Sequence, residues 1–215
     1  MPPKLLMVVG NGSEDLETAC IFDVCVRGGI AVSIASVEGA ADCDDATSRR
    51  VTFARGLKVE ADLTASAARA AFEADPNAFD AIVFPGGMPG ARTVGESADV
   101  GVIVRLALER DTKTLIGAIC AAPVFVLGKL GVLRPGDRAT CFPALREKLP
   151  EGVEFVGSAA VVESPTSRIL TSQGPGTSIQ FGLALVRRLV GAEKAGEVAD
   201  ALLVDRSLVG AAAKL

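Results

Sequence analysis

Apolar runs and helical patterns alternate along almost the whole chain, and this alternation limits the fold more than any other feature. KLLMVVG (4–10) is followed by SEDLETACIFDVCVRGG (13–29), which opens on a cap-like Ser13, has acids in its first turn and ends on glycines. The strand-like IAVSIASV (30–37) completes a β-α-β unit. After a polar stretch from Asp42 to Arg50, short strands are expected at 51–53 and 57–59, then a helix over 64–73 and the strand FDAIVF. Gly86-Gly87 and Pro89-Gly90 are read as chain breaks, followed by a helix over 100–110 and the strand TLIGAI. VEFVGSAAVVE and RILTSQ supply further strands, and helices are expected over 177–190 and 193–204. Such a pattern predicts a mostly parallel sheet covered on both faces: a flavodoxin-like, three-layer α/β sandwich. With 215 residues and no repeat or linker, the chain reads as one domain over 1–204 with a tail at 205–215. Ligands of such sheets bind outside the carboxyl ends of the strands, an edge that here holds NGSED, PGGMPG and CAAP.

Absences narrow the chemistry. The chain has no histidine, which excludes a Ser-His-Asp or Cys-His pair and any imidazole ligand or proton shuttle. A net charge of -4, no basic run and few aromatic residues argue against nucleic acid and anionic membranes as partners. Cys20, Cys25, Cys43, Cys120 and Cys141 are odd in number and contain no C-x-x-C pair. They predict neither a metal site nor a secreted disulfide framework, and read as reduced thiols of a cytoplasmic protein. The amino-terminal apolar run is too short for a signal peptide or membrane span. Ala213-Lys214-Leu215 resembles a peroxisomal address, the alternative being an Ala-rich frayed tail.

Two residues carry the expected chemistry. Cys120 ends the strand TLIGAI and is followed by small residues and Pro123, as in a nucleophile elbow. The amino terminus of the next helix is expected to lower the thiol pKa and favour the thiolate; the alternative is an inert buried cysteine. Glu17 aligns with Ile21, Val24 and Gly28 on the apolar face of the first helix, whereas Glu14 and Asp15 belong to its exposed first turn. An acid on that face should have a raised pKa and, beside a thiolate, could donate a hydrogen bond and exchange protons with a substrate. Its alternative is an edge residue whose carboxylate reaches water. Cys20 and Cys25 read as core or interface residues, and Cys43 as an exposed one. Neither a G-x-G-x-x-G nor a P-loop spacing is present, so the glycine clusters imply no nucleotide cofactor.

The segments GSEDLET, FDAIVFPGGMPGA, IGAICAAPVFVL and ILTSQGPGTSIQFGLALV together resemble the ThiJ/PfpI superfamily, most closely its DJ-one-like branch. That branch includes the parkinsonism-associated protein and relatives described as glyoxalase III or protein deglycase. The resemblance implies a homodimer, a class I glutamine amidotransferase-like fold, no cofactor and no metal. It implies Cys120 as nucleophile, Glu17 as its acid, an oxyanion pocket from the N–H groups of Gly87 and Ala121, and a pocket bordered by Gly86. Arg27 and Arg49 match basic positions facing the pocket in relatives, with exposed ion pairs as the alternative.

This chain also departs from the pattern. The branch commonly has a Thr-His-Pro segment near the nucleophile, where this chain reads Thr140-Cys141-Phe142-Pro143. Cys141 is therefore either a stand-in for the imidazole, a resolving thiol for a Cys120 sulfenate, or a neutral filler. Met88 stands where asparagine is common, and Gln173 where arginine is. The family chemistry implies thiolate addition to methylglyoxal, proton transfer by Glu17 and release of lactate without glutathione, weakened by the missing imidazole. The other class of function implied is a cysteine-based oxidative-stress sensor or redox-regulated chaperone.

Overall fold

A computed structural model describes residues 1–37, 49–75, 77–109, 113–164, 168–210 and 212–213. Cys43 and the last two residues of the carboxyl-terminal tripeptide therefore lie outside the described residues. From the amino terminus, β1 (Lys4–Val9) leads into α1 (Asp15–Arg27), β2 (Ala31–Ser36), β3 (Arg50–Thr52), β4 (Lys58–Glu60) and β5 (Leu63–Thr64). Then come α2 (Ala65–Ala74), β6 (Ala81–Phe84), α3 (Met88–Glu96), α4 (Ala98–Glu109) and β7 (Leu115–Ile119). A π-helical turn (Pro123–Gly128), β8 (Arg138–Ala139), a 3-10 turn (Pro143–Lys148), β9 (Glu154–Phe155), β10 (Val161–Glu163) and β11 (Ile169–Ser172) follow. The last elements are a 3-10 turn (Pro175–Thr177), α5 (Ser178–Leu189), α6 (Ala192–Ala201), a 3-10 turn (Arg206–Gly210) and β12 (Ala212–Ala213).

The main sheet has the order β12-β10-β11-β7-β6-β1-β2-β5. It is parallel throughout except where β10 runs against β11. Because side chains alternate along a strand, each central strand feeds two cores. Leu6, Val8, Ile82, Phe84, Ile116 and Ala118 pack with α2, α3 and α4 on one face. Leu5, Met7, Val9, Ala81, Val83 and Leu115 pack with α1, α5 and α6 on the other. Registering Leu5 against Ala81, and Ala81 against Leu115, brings the carboxyl ends of β1, β6 and β7 side by side. No helix among the described residues is long and apolar enough to cross a membrane.

Three local readings differ from the sequence-based expectation. The cap of α1 is Glu14, whose carboxylate accepts from Glu17 N at 2.8 Å. Ser13 instead accepts from Gly10 N at 3.0 Å, so its hydroxyl is used to close the turn after β1. Pro89-Gly90 does not break the chain but lies in the first turn of α3, where a proline loses no helical hydrogen bond. Finally, Cys120 is followed by a six-residue π-helical turn rather than a long helix, with the amides of Val124 and Phe125 both donating to Ala121 O.

Candidate active site

Cys120 occupies the point where β7 ends. Its φ is 64°, in the left-handed region that non-glycine residues rarely enter. Such a conformation costs on the order of 1–2 kcal/mol and must be held by its surroundings. Here Cys120 N donates to Ser172 O at 3.0 Å, and Cys120 O accepts from Phe142 N at 2.8 Å. Strand β11 and the segment before the first 3-10 turn therefore hold the elbow from two sides. The side chain remains half-buried.

Glu17 comes to the same place from α1. It is fully buried, with Ile21 and Val24 on the same face of the helix. Its Oε2 accepts from Gly86 N at 2.6 Å. Its Oε1 has no hydrogen-bonded nitrogen or oxygen, and the neighbouring side chain that interacts with the carboxyl is the Cys120 thiol. Gly86 separates the two: a Cβ there would lie 2.6 Å from Cys120 Cβ and 2.8 Å from Glu17 Oε2. Only a residue without a side chain lets acid and thiol approach this closely. The backbone N–H groups of Gly87 and Ala121 lie near the Cys120 sulfur and favour its charged form. Gly87 achieves this with a φ of +81°, packed so tightly that a Cβ would meet Gly12 O at 2.2 Å.

The electrostatics of the pair correct one expectation. Glu17 is raised from its ordinary 4.5 to about 7, by burial first and the nearby Glu14 charge last, against the hydrogen bonds from Gly86 and Cys120. The Cys120 thiol is not lowered but pushed up to about 12. Burial is the main cause, followed by the charge and hydrogen bond of Glu17; the N–H groups of Gly87 and Ala121 act in the opposite direction. The short π-helical turn offers too little aligned dipole to outweigh these effects. Two anions this close oppose each other, so acid and thiol hold at least one proton between them near neutral pH.

A cavity of about 640 Å³ opens in front of the cysteine. Besides Cys120, Ala121 and Gly87, it is lined by Gly12, Glu14, Phe53, Ala54, Arg55, Met88, Pro89, Phe142, Leu145 and Pro175. Arg27 pairs with Asp23 at 2.7 Å, and Arg49 with Glu60 at 3.1 Å and Asp62 O at 2.6 Å. Neither is among the residues lining the cavity; the cation there is Arg55. Cys141 is fully buried, its S–H donates to Phe142 O at 3.4 Å, and burial pushes its thiol up to about 11. Cys120 and Cys141 are both free thiols, as are Cys20, half-buried, and Cys25, buried. Among the described residues no group of three or more potential metal ligands converges.

Sequence reasoning missed the hairpin of β3 and β4 as part of the site. Its tip reaches the cavity because Asp15 accepts from Arg55 N at 2.7 Å and Leu57 N at 3.0 Å, while Asn11 accepts from Thr52 N at 2.8 Å. These bonds span some forty residues of sequence, and no local pattern signals them. Phe142 and Leu145 were equally unmarked, although the first adjoins the Cys141-for-histidine departure.

Together the sheet, the strained cysteine at a strand end and the buried carboxyl beside it define an α/β sandwich protein with a thiol at a sharp strand-end turn. Residues 3–188 match the DJ-1/PfpI family, and the chain belongs to that family. Protein DJ-1 homolog A of Arabidopsis thaliana is 36% identical over 204 residues, 93% of this chain. The chain spans only 46% of the length of that relative, and 41% of Protein DJ-1 homolog B from the same plant. Protein dj-1beta of Drosophila melanogaster is 34% identical, with 95% of this chain and 98% of that protein aligned. The crystal structure of Drosophila DJ-1beta matches with a TM-score of 0.81 at 32% identity, covering 95% of this chain and 100% of the other. A Caenorhabditis elegans relative named glutathione-independent glyoxalase DJR-1.2 is 29% identical over 94% of this chain and 96% of its own length.

Proposed function

We propose that this chain is a glutathione-independent glyoxalase that converts 2-oxoaldehydes such as methylglyoxal to 2-hydroxy acids through Cys120 and Glu17. The observation that supports this reading best is the buried Glu17 carboxyl, held by Gly86 N and turned to the Cys120 thiol. In the ground state the thiol carries the shared proton. As the sulfur adds to the aldehyde carbon, that proton passes to Glu17, whose raised pKa near 7 suits both acceptance and return. The N–H groups of Gly87 and Ala121 face the developing alkoxide of the hemithioacetal. Glu17 returns that proton to the alkoxide oxygen and, once more a carboxylate, takes the proton from the aldehyde-derived carbon; the resulting enediol regains it at the adjacent carbon, as the proton on the first oxygen passes to the second, leaving a thioester. Water hydrolyses the thioester to lactate and returns the thiol. No imidazole exists in the chain to share this work, so turnover is expected to be weak. The relative named as a glutathione-independent glyoxalase supports the same reading.

The test is lactate formation from methylglyoxal without glutathione by reduced wild-type protein, beside Cys120→Ala and Glu17→Ala. Activity in the wild type lost in both variants supports the assignment; no turnover by folded, reduced wild type refutes it.

A further inference from the structure

The cavity before Cys120 does not match a three-carbon aldehyde. At about 640 Å³ it falls in the size range of pockets that hold drug-sized ligands, roughly 300–1,000 Å³. Its lining is mainly apolar, with Phe53, Met88, Pro89, Phe142, Leu145 and Pro175 beside the charged Glu14 and Arg55. Phe53 and Leu145 lie deep, at 3% and 6% exposure, whereas Met88 and Phe142 keep 45% and 44% of their surface open. Large apolar side chains left half open around a reactive centre are surfaces that a ligand can cover. Of the two charged residues in the lining, Glu14 is already engaged, its carboxylate capping Glu17 N at 2.8 Å. The methyl group of methylglyoxal would touch little of this wall.

Building on the proposed glyoxalase reading, we infer that the site selects 2-oxoaldehydes with a bulky apolar substituent, aryl or branched alkyl, over methylglyoxal. With the aldehyde carbon at the Cys120 sulfur and its oxygen toward the Gly87 and Ala121 N–H groups, the ketone substituent extends toward Phe142 and Leu145. Burying an aryl group there removes apolar surface from water in the bound substrate and in the transition state alike. The preference therefore resides mainly in KM.

The experiment compares initial rates for phenylglyoxal and methylglyoxal at neutral pH, without glutathione, in wild type and Phe142→Ala. The expected wild-type kcat/KM is at least about tenfold higher for phenylglyoxal, with the ratio falling toward unity in the variant. A wild-type ratio at or below one, with methylglyoxal turned over, overturns the inference while the proposed function stands. A second measurement does not depend on turnover: protection of Cys120 from iodoacetamide by acetophenone, against acetone at equal concentration. Stronger protection by acetophenone supports the apolar subsite even if no aldehyde is converted, in which case the proposed function alone fails. Equal protection by the two ketones overturns the subsite.

Discussion

Gly86 N donates to Glu17 Oε2 at 2.6 Å across 69 positions of sequence. The carbonyl of the same glycine accepts from Glu14 N at 3.0 Å. The loop after β6 and the start of α1 are thus tied by two hydrogen bonds, and the tie aims the acid at the cysteine.

Replacing Glu17 by glutamine keeps an acceptor for Gly86 N but removes the charge. Turnover is expected to fall roughly a hundredfold or more. Alkylation of Cys120 by iodoacetamide should shift its midpoint to lower pH, because the Glu17 carboxylate helps hold the thiol up. A midpoint that does not move would leave burial as the sole cause.

Gly86→Ala places a methyl group 2.6 Å from Cys120 Cβ. The loop must shift, at a cost of about 1–3 kcal/mol, and the carboxyl and thiol separate. Urea unfolding should report the lost stability. Glyoxalase rates should fall with it, more than the change in folded population explains.

Stability should depend on pH through Glu17. Its carboxyl titrates near 7 when folded against an ordinary 4.5, so the folded chain holds this proton more tightly than the unfolded one. The resulting stabilisation is fully present below pH 4.5 and is lost as pH rises through 7. The difference in unfolding free energy between wild type and Glu17→Gln should decline by about 3 kcal/mol across that window. A flat difference would contradict the raised pKa.

Asp15 fastens the hairpin tip to α1 through Arg55 N and Leu57 N. In Asp15→Ala two amides lose their acceptor, with a loss of about 1–2 kcal/mol in stability. KM should rise more than kcat falls, since the hairpin lines the cavity but does not touch the reacting atoms; Asp15→Asn should restore part of the loss.

Cys141, read from the resemblance as a possible stand-in for an imidazole, is fully buried and not among the residues lining the cavity, whereas its neighbour Phe142 is. Its thiol, pushed up to about 11, stays protonated at neutral pH, so it cannot relay protons as histidine would. Cys141→Ala should leave turnover within about threefold and cost roughly 1 kcal/mol of packing. A larger fall in rate would assign it a part in proton transfer.

Much of this was legible in the sequence by itself. Alternating strand and helix patterns determined a parallel sheet, and the strand ends marked the edge where the cavity opens. The turn after TLIGAI marked Cys120, and helical spacing put Glu17 with Ile21 and Val24 on the buried face of α1. These are local properties: periodicity encodes which face a residue occupies, and small residues encode where a chain can turn. Only the tertiary structure decided how these groups meet. The contact of acid and thiol depends on Gly86, the hairpin at the cavity depends on Asp15, and the open apolar wall depends on Phe142 and Met88. The raised pKa of the cysteine is hidden from the sequence for the same reason. A helix terminus can be read along the chain, but desolvation and the charge of a residue 103 positions away exist only after the chain has folded.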